Sequence, residues 1–415
     1  MSNPKARKFQ YSFTETVTSS GTLILSANAH LYQVFTGSQG HTLRFPDATL
    51  LKVGITFTVV NDSSGSIVVQ NNGSSTLATL LPGSTAEFIV TDISTSNGVW
   101  KSYSAGTTGA GGIGSKNPGA ILATLARGLF GGGDSGSITN AIDYLDFASL
   151  TNASSFGTLS VARTQSSGCA SETRGIFSGG STGSESNVID YVTILTSGVA
   201  ADYGDLTLAR SSLAACSSNT RGLFGGGYDG VNPVNNIDYS TIASLGNATD
   251  FGDLTVARSG NSATASRLRG IWAGGYNAGY QNVVDYVTIS SIGNATDFGD
   301  LTSGRSGLAA GASATRGLTA GGNNGSDLST IDYVTLSTLG NATSFGSLSQ
   351  ARAFLAAAPS AIRCVFAGGL LSFTTRVDTM DHVLFSTLSN ATDFGNLTTV
   401  LRDGTGLSNA HGGLF

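Results

Sequence analysis

The sequence predicts an all-β chain, with an N-terminal β-sandwich or jelly-roll-like module followed by a six-bladed β-propeller. Three observations carry this reading. Only 11% of the 415 residues are Asp, Glu, Lys or Arg, against about a quarter in an average soluble domain, so long amphipathic helices would lack their charged outer faces. Glycine numbers 57, about double its usual share of roughly 7%, as many tight turns between short strands require. From Arg127 onward the chain repeats itself six times, and self-similarity at this kind of period fixes an architecture.

Residues 1–8 form a basic arm, Met1-Ser-Asn-Pro-Lys-Ala-Arg-Lys8, followed by Phe-Gln-Tyr-Ser-Phe-Thr-Glu and not by a continuous apolar stretch. No secretion signal is expected there, and no later segment reaches the roughly 20 apolar residues of a membrane span. In residues 9–104, Tyr32–Phe35, Thr42–Phe45, Ile55–Val60, Ser66–Gln70 and Ala86–Val90 are β-branched and aromatic runs separated by Gly, Asn, Asp and Pro. They predict the strands of a small antiparallel sandwich. All five lysines lie at or before Lys116, and the net charge is +2 up to that residue and -7 after it. That compositional step marks a boundary, and residues 105–118 read as a flexible Gly-rich linker.

Residues 119–415 hold the repeats. Arg127-Gly-Leu-Phe-Gly-Gly-Gly133 returns at Arg174, Arg221, Arg269, Arg316 and Arg363, at spacings of 47 or 48. Asp143, Asp190, Asp238, Asp285 and Asp332 each precede a Tyr, with Asp378 taken as the sixth; an aromatic-Gly pair starts at Phe156, Tyr203, Phe251, Phe298, Phe345 and Phe394. Each unit closes on an arginine, at 163, 210, 258, 305, 352 or 402. A unit of this length with four strand signals is a propeller blade in size. These repeated arginines make up 12 of the 14 basic residues after Lys116. A planar, multidentate cation suits buried acceptors better than lysine, so these arginines are expected to bridge blades. The final stretch, Thr405 to Phe415, repeats the start of a unit and competes with Ala120–Leu125 for the inner strand of the first blade. Six blades are expected, with seven or an exchange between subunits as alternatives.

Chemistry is sparse. The four histidines and three cysteines have no metal-ligand spacing, so neither metal nor other cofactor is expected. The Gly-Gly-Gly strings lack the Lys-Ser/Thr of a phosphate loop. Asp-Phe-Gly-Asp runs at 250–253 and 297–300 offer carboxylate pairs, but they obey the repeat and read as turn residues. The Asn-Ala-Ser/Thr triplets at Asn152, Asn247, Asn294, Asn341 and Asn390 read as Asn-led turns. A net charge of -5 offers no basic footprint for nucleic acid or an anionic membrane. What breaks the repeat is the loop after each glycine pair, including Leu370 to Thr375. Variable loops on a constant scaffold suit recognition, and Tyr228, Asp229, Asn232, Tyr276, Asn277, Tyr280, Asn323 and Asn324 are the candidate contact residues, tyrosines to stack on a sugar and amides to hydrogen-bond it. Mere tolerance of surface loops is the alternative.

The order of landmarks, a hydrophobic strand ending in Gly-Gly, a Tyr, a large aromatic, then Leu-Thr-x-Ala-Arg, resembles the kelch repeat. Phe or Tyr stands where kelch blades usually have Trp. The runs Val34-Phe-Thr-Gly37, Leu43-Arg-Phe-Pro-Asp47, Val59-Val-Asn-Asp-Ser-Ser-Gly65, Leu81-Pro-Gly83 and Gly98-Val-Trp100 resemble a β module of bacteriophage tail-fibre and other virion proteins. The resemblance implies a non-enzymatic virion component. Residues 1–104 would meet other tail, baseplate or capsid proteins, and the propeller would be displayed toward a host-surface glycan or protein. A homo-oligomer, in particular a trimer, is implied as well. The rivals are a decoration protein without a receptor and a propeller-type polysaccharide depolymerase. The latter needs two convergent carboxylates outside the repeat, and the variable loops supply only Asp134, Glu185, Asp229 and Asp327.

Overall fold

The structure, a computed structural model, describes residues 13–105 apart from 19, 30, 62 and 83, and residues 126–414. The arm at 1–8, the linker beyond Ala105, the segment Ala120–Leu125 and His30 lie outside the described residues. The chain divides into two compact units, Met1–Asn117 and Pro118–Phe415.

Among the described residues the first unit has nine strands in two sheets: β1 (Phe13–Val17), β2 (Thr22–Ile24), β3 (Tyr32–Thr36), β4 (His41–Arg44), β5 (Thr56–Asn61), β6 (Ile67–Gln70), β7 (Thr76–Leu80), β8 (Thr85–Asp92) and β9 (Val99–Ala105). The expected antiparallel order is corrected here. The chain alternates between the sheets, so β1, β3 and β5 run parallel in one and β2, β4 and β6 run parallel in the other. Antiparallel pairing enters only with β7 on β6, β8 on β5 and β9 on β8. Parallel neighbours need a crossover, and each passage through the opposite sheet provides it; strand-and-turn signals in sequence look the same for a crossover as for a hairpin. Alternation on β5 (out/in from Thr56) sends Phe57 and Val59 inward, where Phe45 stacks on Phe57 at 5.0 Å and on Trp100 at 4.5 Å. Asn61 is fully buried, and its side-chain amide donates to the carbonyls of Gly65 and Leu80 while its oxygen accepts from the Ser63 amide.

The second unit is a six-bladed β-propeller. Blades 2 to 6 are four-stranded antiparallel sheets built from contiguous sequence, the second blade from Ser167–Ala170, Arg174–Ser178, Val188–Thr193 and Ala201–Asp205. Blade 1 takes its second, third and outer strands from Arg127–Gly131, Ala141–Asp146 and Ser154–Thr158, and its inner strand from Thr405–Ser408. This closure pairs Leu129 with Leu407 and leaves no blade missing its inner strand. Six apolar clusters fill the six interfaces. Between blades 1 and 2, for instance, Leu129, Ile142 and Phe156 pack with Phe177, Val192 and Ile194. The cysteines belong to this packing: Cys169 lies against Gly222 and Cys216 against Gly270, each across an interface where a Cβ would not fit. Burial pushes the Cys169 thiol up to about 12 and raises those of Cys216 and Cys364 as well, as expected of inert filler.

Candidate functional site

Two sets of arginines tie successive blades together from blade 1 to blade 6. Arg163 lies in the connection from blade 1 to blade 2, its main chain bonded to Gly133 and Thr139 of blade 1. Its guanidinium donates to the Phe177 carbonyl and to Asp190 of blade 2 at 3.0 Å. Arg210, Arg258, Arg305 and Arg352 repeat this with Asp238, Asp285, Asp332 and Asp381, at 2.9 to 3.2 Å, all ten side chains being essentially inaccessible. The second set starts the second strand of each blade. Arg127, Arg174, Arg221, Arg269 and Arg316 lie over the Tyr of their own blade, 4.5 to 5.1 Å from the ring centre. Each then donates from Nη1 to a carbonyl of the following blade, those of Leu195, Ile242, Ile289, Leu336 and Phe385. The same Tyr meets the blade's large aromatic edge-on, as Tyr239 meets Phe251 at 5.9 Å. The sequence-marked Asn residues are pins of a third kind. The side-chain oxygen of Asn247 accepts from the Asp205 amide of the preceding blade, and Asn294, Asn341, Asn390 and Asn152 repeat the contact.

Both arginine sets break at the seam between blades 6 and 1, and two sequence assignments are corrected there. The sixth buried aspartate is Asp381, followed by His382 and not by Tyr; it pairs in register with Phe366 as Asp332 does with Thr319. His382 meets Phe394 edge-on at 5.6 Å in the place of the tyrosine. Asp378 lies before that strand. The sixth closing position is Leu401, not Arg402: Gly369 donates to the Leu401 carbonyl where Gly322 donates to that of Arg352. Asp143 therefore lacks an arginine, is only 8% exposed, and accepts from the amide and hydroxyl of Thr398. Burial raises its pKa, against the opposing effect of those hydrogen bonds. Arg363 likewise finds no acceptor for Nη1 among the described residues. A different clasp holds the seam: Arg402 and Arg376 converge on Asp134 at 2.9 and 2.8 Å. Burial pushes the Asp134 pKa up, but the bonds from Arg376, the Gly136 amide and Arg402 outweigh it and hold the carboxyl at about 2.

The connections between blades and the loops after the glycine pairs share one face, as bridges such as Thr164 to Ser181 and Ser306 to Asn323 show. Both glycines of each pair have φ between 60° and 116°, and a Cβ on Gly132 would lie 2.6 Å from the Arg163 carbonyl, so no other residue fits. At the axis of this face the amides of Gln165, Ser212, Gly260, Gly307, Phe354 and Asp403 form a closed ring. Each N–H donates to the carbonyl of the preceding member, and Gln165 donates to Asp403, at 2.7 to 2.9 Å throughout. All six residues have positive φ. The opposite end holds His411, whose Nε2 lies 2.8 Å from the Ala170 carbonyl; that carbonyl can only accept, so Nε2 carries the proton and Nδ1 accepts from the Gly413 amide. Burial lowers the His411 pKa to about 4. Between the two ends lies an axial cavity of about 50 Å³ lined by small residues such as Ala215, Ala263 and Gly311.

The loop residues named from sequence fall into two groups. Tyr276 and Tyr280 are 44% and 39% exposed and meet edge-on at 5.4 Å on the blade 4 loop. Asn232 and Asn324 are exposed as well. Tyr228, Asp229 and Asn277 are half-buried and Asn323 is buried. Asp229 accepts from the amides of Val231 and Asn232 in its own turn, which hold its carboxyl below the usual range. Among the described residues no three His, Cys, Asp or Glu side chains gather as a metal would require, and no helix is long and apolar enough to cross a membrane. No protein-family model matches the chain, and no match is found among curated proteins.

Proposed function

We propose that this chain is a non-enzymatic structural protein of a bacteriophage virion, a tail fibre or adhesin whose propeller, of the kelch type, recognises the host surface. The supporting observation is where the repeat is kept and where it is abandoned. Arginine, aspartate, tyrosine and asparagine recur where they tie blades together, while the loops of one face diverge and set out the exposed Tyr276 and Tyr280. A hydrolase would need two free carboxylates converging there. Of the four loop carboxylates, Asp134 is instead engaged by two arginines and Asp229 by its own turn, and the remaining two, Glu185 and Asp327, belong to the separate loops of blades 2 and 5. In this reading the N-terminal unit is a β-sandwich that attaches to other virion proteins, and the whole forms an oligomer, a trimer by resemblance to fibre proteins.

The experiment is incubation of the purified chain with a panel of bacterial surface polysaccharides. Retention of one of them without shortening, weakened by Tyr276→Ala together with Tyr280→Ala, is the expected result. Shortened chains would replace this reading with the depolymerase. No retention by any of the polysaccharides would leave a protein receptor or the decoration role.

A further inference from the structure

We infer that a pocket on the loop face between blades 5 and 6 binds an organic ammonium group. It is open to solvent, has a volume of about 540 Å³, and is lined by Asp327 of the blade 5 loop, Gln350, and Leu371 and Phe373 of the two-stranded hairpin in the blade 6 loop. Three observations meet in it. Both carboxylate oxygens of Asp327 are shielded from solvent and have no hydrogen-bond partner among the described residues, nor does any cation there form a salt bridge with it. An uncompensated carboxylate in such a place is costly. Phe373 is 50% exposed at the hairpin tip. Its presentation also carries backbone strain, since Ser372 and Phe373 are consecutive non-glycine residues at φ 49° and 59°, a conformation L-residues avoid. Strain at the rim of a pocket and an unpaired charge behind its wall are the pattern of a site preorganised for a ligand.

The chemistry selects the ligand class. A neutral sugar gains from a carboxylate only by direct hydrogen bonds, and here the oxygens are covered. A cation gains from the charge across the pocket wall, and its alkyl hydrogens gain from the face of Phe373. The hairpin holds its position through Arg376 at its base, bonded to Asp134 of blade 1. The inference stands apart from the adhesin reading, because a free ammonium compound tests it without any surface or virion.

The test is a titration of the whole chain with choline and with glucosamine, followed by NMR of the ligand and by calorimetry, with glucose as the neutral counterpart. Saturable binding of choline and glucosamine but not of glucose is expected. Asp327→Asn should weaken it by about tenfold, and Phe373→Ala should weaken it too. Glu172→Gln, which changes an exposed charge in a different hairpin, should leave it unchanged. Thermal melting of each variant separates loss of binding from loss of fold. Absence of saturation in the parent chain up to about 100 mM choline, equal binding of glucose, or undiminished binding by folded Asp327→Asn protein would each overturn the inference.

Discussion

Replacing Arg258 by leucine imposes on blade 4 the situation that the chain already carries at the seam, where Leu401 faces Asp143. In the parent protein Arg258 and Asp285 are both inaccessible and 2.9 Å apart, with the Trp272 carbonyl accepting a further bond. Removing one member of such a pair strands a buried charge, at a cost of about 3–5 kcal/mol. At about 2–4 °C per kcal/mol for a domain of this size, the melting temperature should fall by about 10 °C. The double variant Arg258→Leu, Asp285→Asn no longer buries an unpaired charge, and its amide oxygen still accepts from Thr255, so it should recover at least half of the loss. Asp143→Asn is the complement. Since burial already disfavours the charged form of Asp143, this change should be neutral or stabilising at pH 7, whereas Asp285→Asn alone strands Arg258 and should cost several kcal/mol. Calorimetric melts and guanidinium unfolding at pH 7 measure all four. A loss below about 1 kcal/mol for Arg258→Leu, or a double variant no better than the single one, would mean that the arginines fill space and do not neutralise the aspartates.

Two further perturbations probe the axis and the seam. His411 titrates near 4 when folded and near its ordinary 6.5 when unfolded, so stability should fall by about 3 kcal/mol as the pH drops between those values. Asp403 has a folded value raised to about 6 by burial from an ordinary 3.8. It therefore costs about 3 kcal/mol at pH 7, and that cost is relieved over the same window on acidification. The two should nearly cancel, and Asp403→Asn should be more stable than the parent at pH 7 and steeply acid-sensitive; unfolding curves at pH 7, 5.5 and 4 that run parallel to the parent's would contradict both assignments. Gly406→Val should prevent the inner strand of blade 1 from seating, since a Cβ there would lie 2.1 Å from the Ala357 carbonyl; a loss of at least about 3 kcal/mol is expected. Gly198→Ala, with nothing within 4 Å, should stay within about 0.5 kcal/mol, and equal melting of the two would show that closure is not tight.

The blades were legible because six copies of one pattern separate what is required from what is tolerated. The glycine pairs, the aromatic and the buried arginines stand out because they return at the same place in nearly every copy. The seam was not legible for the same reason. The blade 6 hairpin lengthens its loop, so counting from Arg363 reaches Asp378 before Asp381, and Arg402 stands next to the position that Leu401 occupies. The asparagine pins bond to partners 41 to 43 residues away in most copies, beyond the reach of any turn pattern. The ring at the axis uses only main-chain groups, and Gln165, Ser212, Gly260, Gly307, Phe354 and Asp403 share no side-chain property that could mark it. In the first unit, the runs that hold Phe45, Phe57 and Phe88 read as strands, but nothing in their spacing distinguishes a chain that winds from one that folds back.

The inner strand of blade 1 arrives from far along the chain, the Arg127 amide bonding to Asn409 across 282 positions. Blades 2 to 6 draw on contiguous sequence and can form one after another, whereas blade 1 must wait for a slow, long-range encounter. During that interval the edge of Arg127–Gly131 is an open template, and the corresponding segment of a neighbouring molecule satisfies it as well as its own. Separate closed rings are therefore favoured when the chains fold in dilution, and exchange of that strand between molecules when they are crowded.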